Sequence, residues 1–231
     1  MSSMFLSLPP PDLTRVSFKD LRVGEGLVVQ IVAESPSTSD KVHEEVDRCS
    51  GLTVWECSLD LARFLTTLPF PFPLRALELG CGHAVPSLIL LDLLPQGSRL
   101  HLQDLDPDTL KSTTQPNVWA KGPGLEVRYM ACEWGEPMAK GLLEEVGPYD
   151  LILCSEGLYR EETFDDLTQT ILGLLSPGGT CYLSSKRFYF GVGGGSAPYL
   201  HWLGSRARGD VVWTSEDGQS NVRDIIKLNL L

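Results

Sequence analysis

From Leu74 onward, short apolar runs alternate with stretches of helical periodicity. The runs at 74–79 (LRALEL), 98–104 (SRLHLQD), 125–131 (LEVRYMA), 149–155 (YDLILCS) and 179–185 (GTCYLSS) have strand length, and helical spacing falls near 84–94, 107–119, 136–146 and 161–176. Strands joined through helices run parallel with both faces covered, so the pattern predicts βαβ units and a mainly parallel sheet. The end of the chain departs from this. A helix near 197–206 precedes the runs 211–215 (VVWTS) and 222–230 (VRDIIKLNL), which flank the turn Glu216-Asp217-Gly218. So short a connection makes these two strands antiparallel. Upstream, Val54, Leu59, Leu61, Phe64 and Leu65 predict an amphipathic helix that stops before the PFPFP run at 69–73. The run 27–33 (LVVQIVA) is strand-like and 34–48 is a charged loop. Residues 1–26 are polar, proline-bearing and weakly patterned, and a loosely attached lead-in is expected there. With no repeat and no low-complexity block, the expectation is one domain over 51–231, preceded by a lead-in, 1–50, with one short strand.

The 231 residues are 42% apolar and 21% charged, which is ordinary globular usage and excludes wholesale disorder. Nineteen basic against thirty acidic residues leave a net charge of −11. Such a surface is poorly suited to gripping nucleic acid phosphates and better suited to a basic protein partner. The cysteines (Cys49, Cys57, Cys81, Cys132, Cys154 and Cys181) are scattered, with no CxxC pair and no histidine at ligand spacing. Reduced, buried thiols are expected rather than disulfides or a metal site. No apolar run reaches the roughly 18 residues of a membrane span. The start, MSSMFLSLPPPD, has no basic segment and breaks at three prolines, so no signal peptide or membrane association is expected. The localisation expected is cytoplasmic, nuclear or both.

Candidate chemistry gathers at the ends of the predicted strands. The first β–α junction reads Leu77-Glu78-Leu79-Gly80-Cys81-Gly82-His83-Ala84. Glycines at the end of a first strand let a ligand approach the backbone at the switch point of an open sheet. The Gly-x-Gly-x-x-Gly of dinucleotide folds is incomplete here, and Glu78 before the turn suits a cationic group better than a diphosphate. The second strand ends Gln103-Asp104-Leu105-Asp106. Asp104 is placed on a ribose, and Asp106 before Pro107 is placed as a helix N-cap. The third strand leads to Cys132-Glu133-Trp134. An acid beside an aromatic there could bond and stack on an adenine, with a core role for the tryptophan equally open. His101 alternates within a strand and reads as structural, whereas His83 could border the ligand. Glu161, Glu162, Asp165 and Asp166 read as a solvated helix start.

Together, Glu78-x-Gly80-x-Gly82, Asp104, Glu133-Trp134 and the end of the fourth strand resemble the class I methyltransferases that use S-adenosylmethionine. That resemblance implies a Rossmann-like α/β fold with a seven-stranded sheet of order 3-2-1-4-5-7-6, strand 7 antiparallel. More narrowly, Leu52-Thr53-Val54-Trp55-Glu56-Cys57 and Ser155-Glu156-Gly157-Leu158-Tyr159 resemble the family-16 protein methyltransferases. Within that group, these stretches and Ser185-Lys186-Arg187-Phe188-Tyr189-Phe190-Gly191-Val192-Gly193-Gly194-Gly195 resemble the protein-histidine methyltransferases that act on a large-subunit ribosomal protein. The resemblance implies that Val54, Trp55, Glu56, Cys57 and Ser58 line the methionine end of the cofactor. Glu78, Gly80, Gly82, Gln103, Asp104, Leu105, Cys132, Glu133, Trp134 and Ser155 would complete its site.

The resemblance further implies that Glu156 orients the acceptor, Tyr159 and Phe188 wall its pocket, and Gly191, Gly193 and Gly194 face the substrate. The chain departs from the family turn at Ala84, which stands where a third glycine is usual. Alanine is expected to serve provided the backbone stays outside the region of positive φ. The expected partner is a basic protein, a large-subunit ribosomal protein, taken by a monomer. A histidine near pKa 6.5 is already mostly neutral at pH 7, whereas a lysine near 10.4 must first lose a proton. A histidine enzyme therefore needs an acceptor group that fixes the tautomer more than it needs a strong base. A lysine acceptor, or a catalytically silent chaperone that binds the cofactor, are the alternatives.

Overall fold

A computed structural model describes residues 3–33, 53–122, 124–215, 218 and 221–231. The charged loop at 34–48, His43, Cys49, Leu52, Glu216 and Asp217 lie outside the described residues. The first elements are β1 (Phe18–Gly24), β2 (Leu27–Val32) and α1 (Glu56–Leu65). Next come β3 (Arg75–Leu79), α2 (Val85–Leu93) and β4 (Arg99–Asp104). The run Pro107–Thr109, a π-turn at Leu110–Thr114 and Gln115–Lys121 together form α3. The chain continues through β5 (Glu126–Ala131), α4 (Glu136–Val146), β6 (Tyr149–Ser155) and α5 (Phe164–Leu174). It ends with β7 (Leu175–Lys186), α6 (Ser196–Leu203), β8 (Arg208–Thr214) and β9 (Arg223–Asn229).

Strands β3 to β9 form one sheet in the order β5-β4-β3-β6-β7-β9-β8. Counted along this sheet, that is the expected 3-2-1-4-5-7-6, and β9 runs antiparallel to both of its neighbours. Side chains alternate between two apolar layers, as the period of two in a strand requires. Ala76, Leu151, Leu153 and Ile225 face α1, α2 and the β1–β2 ribbon, while Leu77, Ile152, Cys154 and Ile226 face α4, α5 and α6. Both layers exclude water, so the polar ends of the strands are the natural place for a site.

Three boundaries differ from the sequence reading. The helix expected at 161–176 starts as a 3₁₀ turn at Glu161–Thr163 and ends at Leu174, and β7 begins at Leu175, four residues before the start expected at Gly179. The helix expected to 206 stops at Leu203, because Gly204 takes φ 54°. The larger correction is at the start of the chain. The lead-in is a β-ribbon, β1 on β2, with Val23, Val29 and Ile31 fully or nearly buried in the core. The Arg63 guanidinium donates to the Val23 carbonyl and to Asp60, and Asp60 also accepts from buried Arg223 of β9. Ahead of the ribbon, Leu6 N–H donates to Tyr129 C=O of β5 at 2.8 Å, and Arg128 lies 3.6 Å over the Phe5 ring.

Candidate active site

A cavity of about 500 Å³ opens where the carboxyl ends of β3, β4, β5 and β6 meet α1. It is lined by Val54, Trp55, Ser58, Glu78, Gly80, Gly82, Gln103, Asp104, Leu105, Cys132, Glu133, Trp134, Ser155, Glu156 and Tyr159, all singled out from the sequence. The parallel sheet is the cause. Leu79 is in register with Gln103 and with Cys154, so three strand ends deliver their next residues to one rim.

The β3–β4–β5 side is held by its own hydrogen bonds. Gln103 Oε1 accepts from Gly80 N–H at 3.0 Å and from Trp134 Nε1 at 2.9 Å, and its Nε2 donates to Cys132 C=O at 2.6 Å. Asp104 accepts from Gly82 N–H at 2.8 Å and Asp106 N–H at 3.2 Å; burial raises its carboxyl pKa against those bonds. Asp106 caps α3 as expected, accepting from Asp108 and Thr109 N–H. Glu78 is fully buried and accepts from the Ser87 N–H at 3.0 Å and its hydroxyl, at the start of α2. Burial lifts its carboxyl to about 8, against the bonds from Ser87. The acid expected to meet a cationic group is thus also tied to the fold.

Ala84 corrects the sequence expectation. Its φ of 56° and ψ of 34° put it in the left-handed region, in line with Gly80 at 61° and Gly82 at 47°. A residue with a Cβ pays roughly 1–2 kcal/mol for that conformation. The turn holds it there: Ala84 N–H donates to Cys81 C=O at 2.6 Å, and Pro86 sits in the first turn of α2. His83 borders the cavity and receives Asn117 Nδ2 on its carbonyl at 3.0 Å. His101 is away from the cavity; its Nδ1 meets the Tyr149 hydroxyl at 2.7 Å. Burial first, then Arg128, Arg75 and Arg99, lower its pKa to about 3, so it stays neutral.

The β6–β7 side is organised differently. Glu156 has φ 59°, the only non-glycine besides Ala84 in positive φ among the described residues. Its N–H donates to Ser184 C=O at 2.8 Å, and its Oε2 accepts from the Tyr189 hydroxyl. Its Oε1, like Ser155 Oγ, is buried with no hydrogen-bond partner. Lys186 also lines the cavity, with Nζ 3.4 Å from Glu56 and 5.6 Å above the Trp55 ring. Glu56 is therefore exposed on a helix rim outside the cavity, and Cys57 is wholly buried beneath it. Burial, then the charge of Glu156 and a hydrogen bond from the thiol to that carboxylate, raise the Cys57 pKa, so the thiol stays protonated.

The glycine loop after β7 divides in two. Phe188, Gly191, Gly193 and Gly194 all lie along a separate shallow surface next to the cavity, which shares Tyr189 with it. Gly194 is the buried member of that lining: a Cβ there would fall 2.2 Å from Leu158 C=O, so its lack of a side chain also serves packing against the β6–α5 connection. Lys186 and Tyr189 are the functional candidates missing from the sequence reading. The one available signal was the alternation Phe188-Tyr189-Phe190, which turns the tyrosine inward when its neighbours are exposed.

These residues fit a nucleoside cofactor with a charged tail. A side chain at Gly80 would enter the space above Trp134, whose ring lies 3.4 Å from that Cβ position. Asp104 stands at the end of the second strand of the sheet, Trp134 walls the third, and the unpartnered Ser155 hydroxyl lies at the opposite end of the cavity.

A family model described as Lysine methyltransferase (Methyltransf_16) matches residues 35–189. A "Histidine protein methyltransferase 1 homolog" of Dictyostelium discoideum is 34% identical over 182 residues, taking in 77% of this chain and 57% of that protein. "Protein N-lysine methyltransferase METTL21A" of Xenopus tropicalis is 31% identical over 137 residues, 59% of this chain and 60% of that protein. The chain spans little more than half the length of the curated histidine-methyltransferase relatives it matches. Among solved structures, a putative SAM-dependent methyltransferase from Streptococcus mutans superposes with a TM-score of 0.65 at 10% identity, covering 92% of this chain and 55% of that one. That likeness speaks to the fold alone.

Proposed function

Because the chain belongs to this methyltransferase family, we propose that it is a protein-histidine N-methyltransferase acting on a basic protein, a large-subunit ribosomal protein. S-adenosylmethionine is the cofactor that the family implies. Gly80 and Gly82 would hold its methionine portion together with Trp55 and Ser155, Asp104 its ribose, and Glu133 with Trp134 its adenine. When bound, it supplies a methyl group on a positively charged sulfur.

The chain's own residues then have three tasks: to align the acceptor nitrogen, to exclude water, and to keep the ring in one tautomer. Alignment of this kind is worth roughly 7–11 kcal/mol of barrier. The observation that carries the reading is Glu156 Oε1, a buried acceptor without a partner at the end of β6. A neutral imidazole offers it one N–H while keeping a lone pair on the other nitrogen. The net charge of −11 supports a basic partner. We place the enzyme, as a monomer, in the cytoplasm or nucleus.

A lysine acceptor is the second reading, favoured by the description of the family model and by the lysine-methyltransferase relative. A cofactor-binding chaperone without activity is the third. Incubation of ribosome-bearing extract with the protein and tritiated S-adenosylmethionine, followed by hydrolysis to amino acids, separates them. Label in methylhistidine is expected. Label only in methyllysine transfers the protein to the second reading, and no label to the third.

A further inference from the structure

The Tyr189 hydroxyl bonds on both sides. It donates to Glu156 Oε2 and accepts from Lys186 N–H at 3.3 Å, while the Ser185 hydroxyl, whose proton goes to Lys186 C=O at 3.1 Å, lies 3.5 Å away. Both sides of the phenol are thus in use, and its single proton is directed at the carboxylate. Burial and the charge of Glu156 raise the Tyr189 pKa, so the proton stays on the phenol. Glu156 itself sits in left-handed backbone geometry that its neighbours must enforce. Of its two oxygens, Oε2 is taken by Tyr189; the carboxylate also meets the buried Cys57 thiol, and Oε1 has no nitrogen or oxygen donor.

The backbone around Tyr189 is closed on itself. Tyr189 N–H donates to Gly194 C=O at 2.9 Å, and Tyr189 C=O accepts from Val192 and Gly193 N–H, both at 3.1 Å. Gly195 N–H donates to Leu158 C=O at 2.7 Å, which ties the loop to the chain that carries Glu156. The tyrosine is therefore fixed at both ends, by its loop and by its hydroxyl.

We infer that Tyr189 is a positioning residue that sets acceptor specificity: by occupying Oε2 it leaves Glu156 with one acceptor oxygen, suited to a group that brings a single N–H. Neutral imidazole is such a group. A lysine nitrogen carries three N–H bonds as an ammonium and two as a free amine, and would leave at least one of them unpaired at this oxygen. This inference rests on the histidine reading above.

The test uses the whole chain and a pool of synthetic peptides copying the histidine segments of large-subunit ribosomal proteins, with a matched pool carrying lysine in place of each histidine. In Tyr189→Phe, kcat on the histidine pool should fall by roughly 10²-fold, the size of effect that a misplaced reacting group produces. Its affinity for S-adenosylhomocysteine by calorimetry should stay within about twofold, because Tyr189 touches none of the residues assigned to the nucleoside. Glu156→Gln should lower kcat similarly, and the double variant should lose no more than either one, since the tyrosine acts through the carboxylate. Additive losses, or wild-type kcat in Tyr189→Phe, would overturn the inference while leaving the histidine reading intact. Parallel loss of kcat and of S-adenosylhomocysteine affinity would overturn it too, by making the role structural. Should Tyr189→Phe fail to fold, Ser185→Ala provides the graded version, removing the hydroxyl that lies 3.5 Å from the phenol and leaving the Lys186 N–H bond in place. Its kcat should then fall less than in Glu156→Gln, and unchanged kcat counts against the inference. Wild-type activity on the lysine pool alone would refute the underlying reading, and the specificity claim with it.

Discussion

The two ends of the cavity are built on opposite principles. At the β3–β4–β5 end, Gln103, Asp104 and Glu78 spend their polar atoms on the protein's own backbone and hydroxyls. At the β6–β7 end, Ser155 Oγ and Glu156 Oε1 are buried with nothing to bond. A buried polar group without a partner costs about 1–3 kcal/mol. The first end is thus shaped before any ligand arrives, and the second holds its cost in reserve for one. The contrast teaches that preformed shape and unspent hydrogen-bonding valence can be separated within one crevice: the first end needs no ligand to complete its bonds, and the second does.

Four measurements would break or sharpen this contrast. The largest effect belongs to Gly194→Ala, because the new Cβ would meet the Leu158 carbonyl, Cβ to O, at 2.2 Å and backbone must move. Chemical unfolding should show a loss above about 3 kcal/mol, at or beyond the usual cost of overpacking. Gly191→Ala, at φ 84° but in open space, should cost only about 1–2 kcal/mol. Equal losses at the two positions would mean that the loop is not anchored on the β6–α5 connection.

Gln103→Ala comes next. It strands the Gly80 N–H, the Trp134 Nε1–H and the Cys132 carbonyl together, and about 2–3 kcal/mol of stability should go with them. Cofactor affinity should weaken in parallel, since the same side chain shapes the glycine turn and the tryptophan wall. A folded Gln103→Ala protein with unchanged affinity by calorimetry would show that the nucleoside end does not depend on this internal network.

A third test uses pH. Glu78 is an acid whose folded pKa is raised, to about 8, so the folded state holds its proton more tightly than the unfolded state does. Its contribution is fully present below the unfolded value, near 4.5, and is lost as pH rises through about 8. Denaturant midpoints of the free protein should therefore decline over that window, and Glu78→Gln should flatten the decline. An unchanged slope in the variant would remove Glu78 as its source.

The smallest effect is expected at Ala84. Glycine there would relieve roughly 1–2 kcal/mol of left-handed strain. It would also surrender a buried methyl, about 0.8 kcal/mol, and gain about 0.4–1 kcal/mol of unfolded-state freedom. The three contributions nearly cancel, so Ala84→Gly should lie within about 0.5 kcal/mol of the parent by thermal melting. A gain of several degrees would show that the turn is more strained than its dihedrals imply.

The strands of the main sheet were legible from apolar runs between loops rich in turn residues, and their order from the family resemblance. β1 was not. Of Phe18–Gly24 only Val23 is fully buried, and a strand with one core residue shows no periodicity to read. Gly80, Asp104 and Trp134 were accessible from the residue types at strand ends, because topology brings those ends together, and Glu156 from the resemblance of its motif to the family's. The left-handed Ala84 was not, since the turn imposes that dihedral against the residue's preference. Tyr189 was hidden for another reason: it follows β7 in a stretch whose folding-back depends on Gly194 and Gly195 meeting Leu158 and Arg187, and Lys186, the last residue of β7, was read with the strand rather than with the site.

The segment that runs ahead of the β1–β2 ribbon has a consequence for how the molecule keeps company with its own copies. β5 is an outer strand of the sheet, and an outer strand offers a row of free amides and carbonyls to any chain that meets it. Here Leu6 takes the Tyr129 carbonyl, Phe5 lies under Arg128, and Met4 and Ser3 hold Glu145 of the neighbouring helix. At the far side β8 is interrupted by a bulge between Val211 and Trp213, which twists that margin away from regular pairing. One margin is thus met by the leading segment at Tyr129 and the other is bent at its bulge, and each interrupts the regular row of pairing groups that a growing fibre would extend.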